Sequence, residues 1–317
     1  MLTFVACNQN INTTFEGSIM GTNYKVLISG KVPSIVNEKS IFKVIDKVNQ
    51  EMSTYIVKSK VNEINNANIN ELIYVTQDLI NVLSYGQKIC NLSKGAFDVS
   101  IGHIVNAWGF GPSVKDDSKN LEQKISNIGC NSFKLNQVSN SILKNKDISI
   151  DLSAIAKGYA IDKLAIYLSS HSIDNYLIEI GGEIRVKGDK NGVTWKVGIE
   201  NPFNFSKPLM LLNNQNLGDF SLATSGSYRN YKMIEGEKIS HTFDPRTGLS
   251  VKSDLLSVSV IHNTAMEADT LATTLNVLGA DKGFIFSEEN KIKAIFVIKE
   301  NDSLIFKTSS EYNRVLK

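Results

Sequence analysis

In AMEADTLATTLNVLG (265–279), a carboxylate and a hydroxyl, Asp269 and Thr273, stand four residues apart. Ala265, Ala268, Leu271, Ala272, Leu275 and Leu278 recur at helical spacing. The stretch therefore reads as a buried helix with Asp269 and Thr273 stacked on one edge of its apolar face. A carboxylate and a neutral oxygen form a hard-oxygen pair suited to Mg²⁺, which takes one or two carboxylates, water and a substrate phosphate. The same spacing also serves a helix that sets Asp269 against its own dipole and bonds Thr273 back to its own carbonyls. Spacing by itself favours that second reading. Glu267, three residues after Thr264, reads as a cap rather than a catalyst.

Other segments hold fewer but suggestive groups. In ISIDLSAIAKGYAIDKLA, a strand over 148–153 runs into a helix, with Ser153 at the N-cap position, Asp151 at the strand end and Lys157 in the first turns. Such a junction offers backbone N–H groups to an anion, and Lys157 adds charge; the alternative is an ordinary junction with a solvated lysine. Gly158 costs a helix about 1 kcal/mol against alanine, so a close approach is expected there. No Walker loop is present. GAFDVSIGHIVNAWGFGP (95–112) sets Trp108 and Phe110 among glycines, as a platform for a flat ligand or as a turn packed on a core tryptophan. It lacks the third glycine of a dinucleotide fingerprint. SHTFDPRTG (240–248) places His241 beside two turns, where it could titrate near neutrality. LATSGSYRNY (222–231) brings Tyr228 and Arg229 after a strand. EIGGEIRVKG (179–188) implies a bulge at Gly181–Gly182, or backbone pressed against a ligand.

These groups need a scaffold, and the composition supplies one. The chain has 317 residues, 42% hydrophobic and 21% charged, enough to bury a real core. The net charge of +2, with no Lys/Arg block, argues against nucleic acid as a partner. No apolar run reaches the length of a membrane span. Cys7, Cys90 and Cys130 show no metal or redox spacing, so no disulfide framework is expected, and four scattered histidines argue against a His-rich metal centre. Val-Ala before Cys7 resembles the end of a lipoprotein signal, although the leader is shorter than a whole signal peptide.

Residues 1–16 are expected to form a tail with a possible lipoprotein Cys7, and residues 17–317 a single domain. Residues 8–17 read as loose, 22–29 as a strand, 34–53 and 71–93 as helices, and 113–132 as a surface insert with a short helix. Strands follow at 175–188, 193–201, 218–226, 255–262 and near the C-terminus. Helices and strands are grouped, which favours an α+β fold with mixed, largely antiparallel sheets over a doubly wound one.

The order of MGTNYKV, MSTY, GAFDVS, WGFGP, DLSAIAKGYAID, IGGEIRVKG, SGSYRNY, SHTFDPRTG and MEADTLATTL resembles the ApbE family of FAD:protein FMN transferases, from residue 20 to about 279. The resemblance implies a T-fold-like α+β architecture. It implies Mg²⁺-dependent transfer of FMN from FAD to a threonine hydroxyl of a target protein, with AMP leaving. Carried over motif by motif, the metal ligands would be Asp269, Thr273 and the backbone oxygen of Ala154. FAD would meet Met20, Tyr55, Ala96, Phe97, Asp98, Asp151, Lys157 and the backbone around Phe243. His241 is the candidate to orient or deprotonate the acceptor hydroxyl. The family's acceptors carry a Ser/Thr-rich motif, and many members are lipoproteins on the outer face of the bacterial cytoplasmic membrane. An FAD pyrophosphatase and a non-enzymatic flavin-binding lipoprotein are the competing functions. The sequence departs from the family pattern at His103, where proline is usual, and at Lys60, where an acidic residue is common.

Overall fold

A computed structural model describes residues 12–112, 121–203, 206–226, 231–234, 236–301 and 303–316. Its centre is one sheet of eight strands: β1 (Asn12–Ile19), β2 (Thr22–Ser29), β3 (Tyr176–Ile180), β4 (Glu183–Lys187), β5 (Phe220–Gly226), β6 (Leu255–His262), β7 (Lys293–Glu300) and β8 (Ser303–Thr308). Their order in the sheet is their order in the chain, and every neighbouring pair is antiparallel. The α+β expectation holds.

Helices cover one face of the sheet. Ile41, Ile45 and Val48 come from α1 (Glu38–Met52), and Ile161, Leu164 and Leu168 from α3 (Ala156–Ser170). Ala268, Leu271 and Leu275 come from α4 (Ala265–Glu289); all pack with Tyr176, Ile178 and Ile180 of β3. α2 (Gln77–Leu92) joins the same core through Leu79, Val82 and Leu83. Alternation in β3 turns Leu177 to the other face, where it meets Trp195, Val197, Leu212 and Tyr312. With both faces covered, β6 is buried along almost its whole length, Ser257 and Ser259 included.

Several expected elements differ. β1 begins at Asn12, inside the span read as loose, because its residues pair one for one with β2. The helix expected over 71–93 starts only at Gln77. Leu72–Tyr74 pairs with Ser141–Lys144 instead, and the Thr76 side chain accepts the Leu79 N–H as N-cap. Residues 148–153 make a single bridge, Ile101 to Ser149, rather than a strand. There Asp151 Oδ1 accepts the Ser153 N–H at 2.8 Å and turns the chain, so Ser153 does not cap α3; the cap position falls on Ile155, without a side-chain bond. Gly181–Gly182 is the two-residue turn of the β3–β4 hairpin, not a bulge. Cys90 and Cys130 form a disulfide, 40 residues apart in sequence, which spacing rules did not anticipate because the fold brings their Cα atoms to 5.5 Å. Lys60 pairs with Glu63 at 2.5 Å, and His103 faces Asp147 at 3.7 Å. Within 113–132, helix Leu121–Asn127 is present and has no buried residue. Cys7, Tyr228 and Arg229 lie outside the described residues.

The close approach expected at Gly158 is α4. A Cβ on Gly158 would lie 2.3 Å from the Ala265 carbonyl oxygen, a backbone atom that cannot swing aside. Gly158→Ala, favourable in an isolated helix, should here destabilise the protein by about 1–3 kcal/mol or more. Urea unfolding of the two proteins measures it.

Candidate active site

Hairpin turns and helix ends converge at one end of the sheet. The β1–β2 turn holds Met20 and Gly21 at φ 55° and 72°, and Gly181 at φ 62° opens the β3–β4 turn. Both positions of a two-residue turn at positive φ suit a tight hairpin, and glycine takes this conformation at no steric cost. A Cβ on Gly181 would also press on Thr22 at 2.9 Å. These tips, the end of β5 and the first half of α4 surround a cavity of about 1330 Å³.

Every residue the family motifs single out for the site lines this cavity. Met20 and Tyr55 stand at one side, with Ala96, Phe97 and Asp98 following α2. Asp151, Ala154 and Lys157 come from the turn into α3. His241 and Phe243 belong to the segment after the Tyr231–Ile234/Glu237–Ser240 hairpin, and Asp269 and Thr273 to α4.

Asp269 is buried, and its Oδ2 accepts the Gly158 N–H at 3.2 Å. That N–H sits in the first turn of α3, where no helical carbonyl can receive it. The anion expected at this junction is therefore in part the chain's own Asp269. In return, Asp162 of α3 accepts the Ala265 and Met266 N–H groups, both at 2.9 Å, and caps α4. Arg185 of β4 holds Asp162 at 2.7 Å. Thr270 and Thr274 bond back to the carbonyls of Met266 and Thr270, at 2.8 Å each. Thr273, between them, is half-buried and lines the cavity.

Lys157 connects these groups. Its Nζ donates to the Ser153 carbonyl at 3.1 Å and lies 3.4 Å from Glu183 Oε1 and 3.9 Å from Asp269 Oδ2. Burial pushes the Asp269 carboxyl up, against the pull of Lys157 and the Gly158 N–H. Burial likewise pushes Glu183 up, opposed by Lys157 and reinforced by Asp269. Burial pulls the Lys157 ammonium down, but the Asp269 and Glu183 charges outweigh it and raise it overall. Asp98 is raised by burial although Ser100 donates to it through both N–H and Oγ.

An aromatic wall closes one side. Phe243 stacks on Trp108 at 5.9 Å and meets Phe110 edge-on at 5.6 Å. Trp108 Nε1 donates to the Gly248 carbonyl, and Tyr55 donates to the Phe110 carbonyl at 2.7 Å. Lys232 reaches the Gly109 carbonyl and lies 4.9 Å from the Phe110 ring centroid. Phe110 and Phe243 line the cavity, while Trp108 packs behind them in the small core of Ile104, Ile239 and Phe243. His241 is exposed at the cavity.

Glu183 is the member that motif reading overlooked. A signal was present: period two puts Glu183 and Arg185 on the same face as Ile178 and Ile180, so two charges point into a helix-covered core. Sequence alone did not show that Lys157 and Asp162 wait there.

The donor chemistry suits Mg²⁺: a buried carboxylate, a hydroxyl and the Ala154 backbone around one cavity are all hard oxygens. Among the described residues, the one His/Cys/Asp/Glu group tight enough to hold an ion is Cys90, Asp98 and Cys130, and the disulfide occupies both of its sulfurs.

The ApbE family model matches residues 20–296. An FAD:protein FMN transferase of Vibrio cholerae is 35% identical over 95% of this chain and 92% of its own length. Another, from Haemophilus influenzae, is 31% identical over 99% and 94%. Among solved structures, the flavin transferase ApbE from Vibrio cholerae superposes with a TM-score of 0.85 at 33% identity, covering 96% of this chain and 99% of that one. The apo flavinyl transferase ApbE of Pseudomonas stutzeri gives 0.86 at 26% identity, covering 97% of each. The fold of this chain, an antiparallel meander with helices packed on it, is thus shared with flavin transferases. The chain belongs to the ApbE family.

The start of α4 carries a pH-sensitive contact. The His262 ring, with Nδ1 2.8 Å from Glu267 Oε2, holds the Glu267 carboxyl below its ordinary value of 4.5, against burial and with help from Thr264. A depressed carboxyl stabilises the folded state above its unfolded value, and this contribution is lost as pH falls through the folded value. Thermal unfolding below pH 4.5 should therefore fall more steeply for the unsubstituted protein than for Glu267→Gln.

Proposed function

We propose that this chain, an FAD:protein FMN transferase, uses Mg²⁺ to move the FMN moiety of FAD onto a threonine hydroxyl of an acceptor protein, with AMP leaving. The observation that carries this reading is the convergence of the family's motif residues, scattered between positions 20 and 273, on one cavity. Its volume of about 1330 Å³ exceeds the roughly 300–1,000 Å³ of small-ligand pockets, leaving room for a dinucleotide and an incoming side chain.

The aromatic wall of Phe110 and Phe243, backed by Trp108 and with Tyr55 beside it, suits a flat ring system. The pyrophosphate belongs at the other side, near Lys157 and the start of α3, where a fixed ammonium offsets its charge. Asp269, Thr273 and the Ala154 carbonyl are the groups that would hold Mg²⁺. When bound, it supplies charge neutralisation to the pyrophosphate. The acceptor hydroxyl oxygen attacks the FMN phosphorus in line, a new P–O bond forms, and the bond to the AMP oxygen breaks. His241, exposed at the cavity, would orient that hydroxyl and take its proton. A Ser/Thr-rich segment suits an open cavity of this kind.

Mass spectrometry of the protein incubated with FAD and Mg²⁺, with and without a threonine-containing acceptor domain, tests the reading. A flavinylated acceptor with equimolar AMP is expected. Asp269→Asn should lower the rate by a factor of 100 or more, as loss of a charge-stabilising group does. His241→Ala should lower it by about 10²–10⁴ while leaving FAD bound. AMP and free FMN in equal amounts without acceptor would make the protein a pyrophosphatase, and bound FAD without AMP would make it a flavin carrier.

Attachment through Cys7 to the outer face of the cytoplasmic membrane is part of the same proposal, supported by the Val-Ala-Cys context. Palmitate labelling in bacteria should be lost in Cys7→Ser.

A further inference from the structure

Glu183 is 6% exposed and opens β4 directly after the Gly181–Gly182 turn. It lines the same cavity as Asp269, yet no motif assigns it a role. Its Oε1 lies 3.4 Å from Lys157 Nζ, and its Oε2 is buried without any hydrogen-bond partner. A buried carboxylate oxygen left unpaired costs free energy that a native fold does not spend without return.

The return is visible in the position of Lys157. Its ammonium lies between three oxygens: the Ser153 carbonyl at 3.1 Å, Glu183 Oε1 at 3.4 Å and Asp269 Oδ2 at 3.9 Å. Asp269 is the farthest of the three, although it is buried as deeply as Glu183. An ammonium in full contact with Asp269 would compete with any metal cation for the same oxygens. Near Asp269 but not on it, the ammonium leaves that carboxylate free to coordinate and still faces the cavity. The Gly158 N–H donates to that same oxygen, Oδ2, and fixes the carboxylate.

We infer that Glu183 is a positioning residue that holds Lys157 off Asp269, so that one cavity keeps both a fixed ammonium and a carboxylate available to a divalent cation. This inference rests on the reading of Asp269 as a cation ligand. Glu183 acts through Lys157, as groups behind a metal's ligands commonly do. Glu183→Gln keeps the shape but weakens the hold, and Lys157 then closes on Asp269.

The test is binding of Mn²⁺ alone, measured by electron paramagnetic resonance, to the full chain carrying Glu183→Gln, Lys157→Met or both. Glu183→Gln is expected to weaken Mn²⁺ binding by about 10-fold or more, the usual loss when such a partner is removed. In the Lys157→Met background the same change should cost less than about threefold, because no ammonium remains to compete. The difference is a coupling between the two sites. An equal loss in both backgrounds would overturn the inference, since Glu183 would then act on the cation directly or only on the fold. No loss in Glu183→Gln, with Mn²⁺ bound by the unsubstituted protein, would overturn it too while leaving the cation site standing. No Mn²⁺ binding by the unsubstituted protein would remove the cation reading of Asp269, and this inference with it.

Discussion

Two helices cap each other. Asp269, one turn into α4, accepts the free Gly158 N–H at the start of α3, and Asp162 of α3 accepts the first two N–H groups of α4. Each helix start carries unsatisfied donors and a partial positive charge, so each carboxylate is compensated where it lies. The arrangement exists only because Gly158 lets the Ala265 carbonyl approach to a distance that no side chain would permit. Change that spacing and Asp269, Thr273 and Lys157 lose their mutual positions together.

The sheet serves this contact. Arg185 of β4 holds Asp162, and Glu183 of the same strand reaches Lys157 two residues earlier on the same face. Strand period two thus sets Glu183 and Arg185 on one face of β4, where they meet Lys157 and Asp162 of α3. The hairpin tips at Met20–Gly21 and Gly181–Gly182 bring backbone to the rim of the cavity, where tight turns leave space for a ligand. On the far wall, Trp108, Phe110 and Phe243 come from two segments more than 130 residues apart and share one small core with Ile104 and Ile239. The cavity therefore has an anion-handling side built from helix starts and an aromatic side built from loops.

Much of this was legible in the chain. Strand Thr22–Ser29, the C-terminal strands and α4 with its Thr264 cap follow directly from alternation, helical spacing and cap chemistry. The motif order named the residues that line the cavity. Local rules failed where long-range pairing competed with them: Leu72–Tyr74 joined a sheet rather than α2, and Ser153 turned with Asp151 instead of capping α3. The Cys90–Cys130 disulfide had no local signature of the kind spacing rules recognise, and period two put Glu183 on the buried face of β4 without showing its partner.

By itself, then, the sequence determined which stretches are apolar on one face, where α4 begins, and which side chains can hold a phosphate, a cation or a ring, because those properties are carried by neighbours within a few residues. Only the tertiary structure decided that Asp269 caps another helix, that Lys157 stands between two carboxylates, and that Phe243 completes an aromatic wall. Each of these depends on segments 26 to 135 residues apart, and their distance is set by packing across the sheet rather than by any local preference.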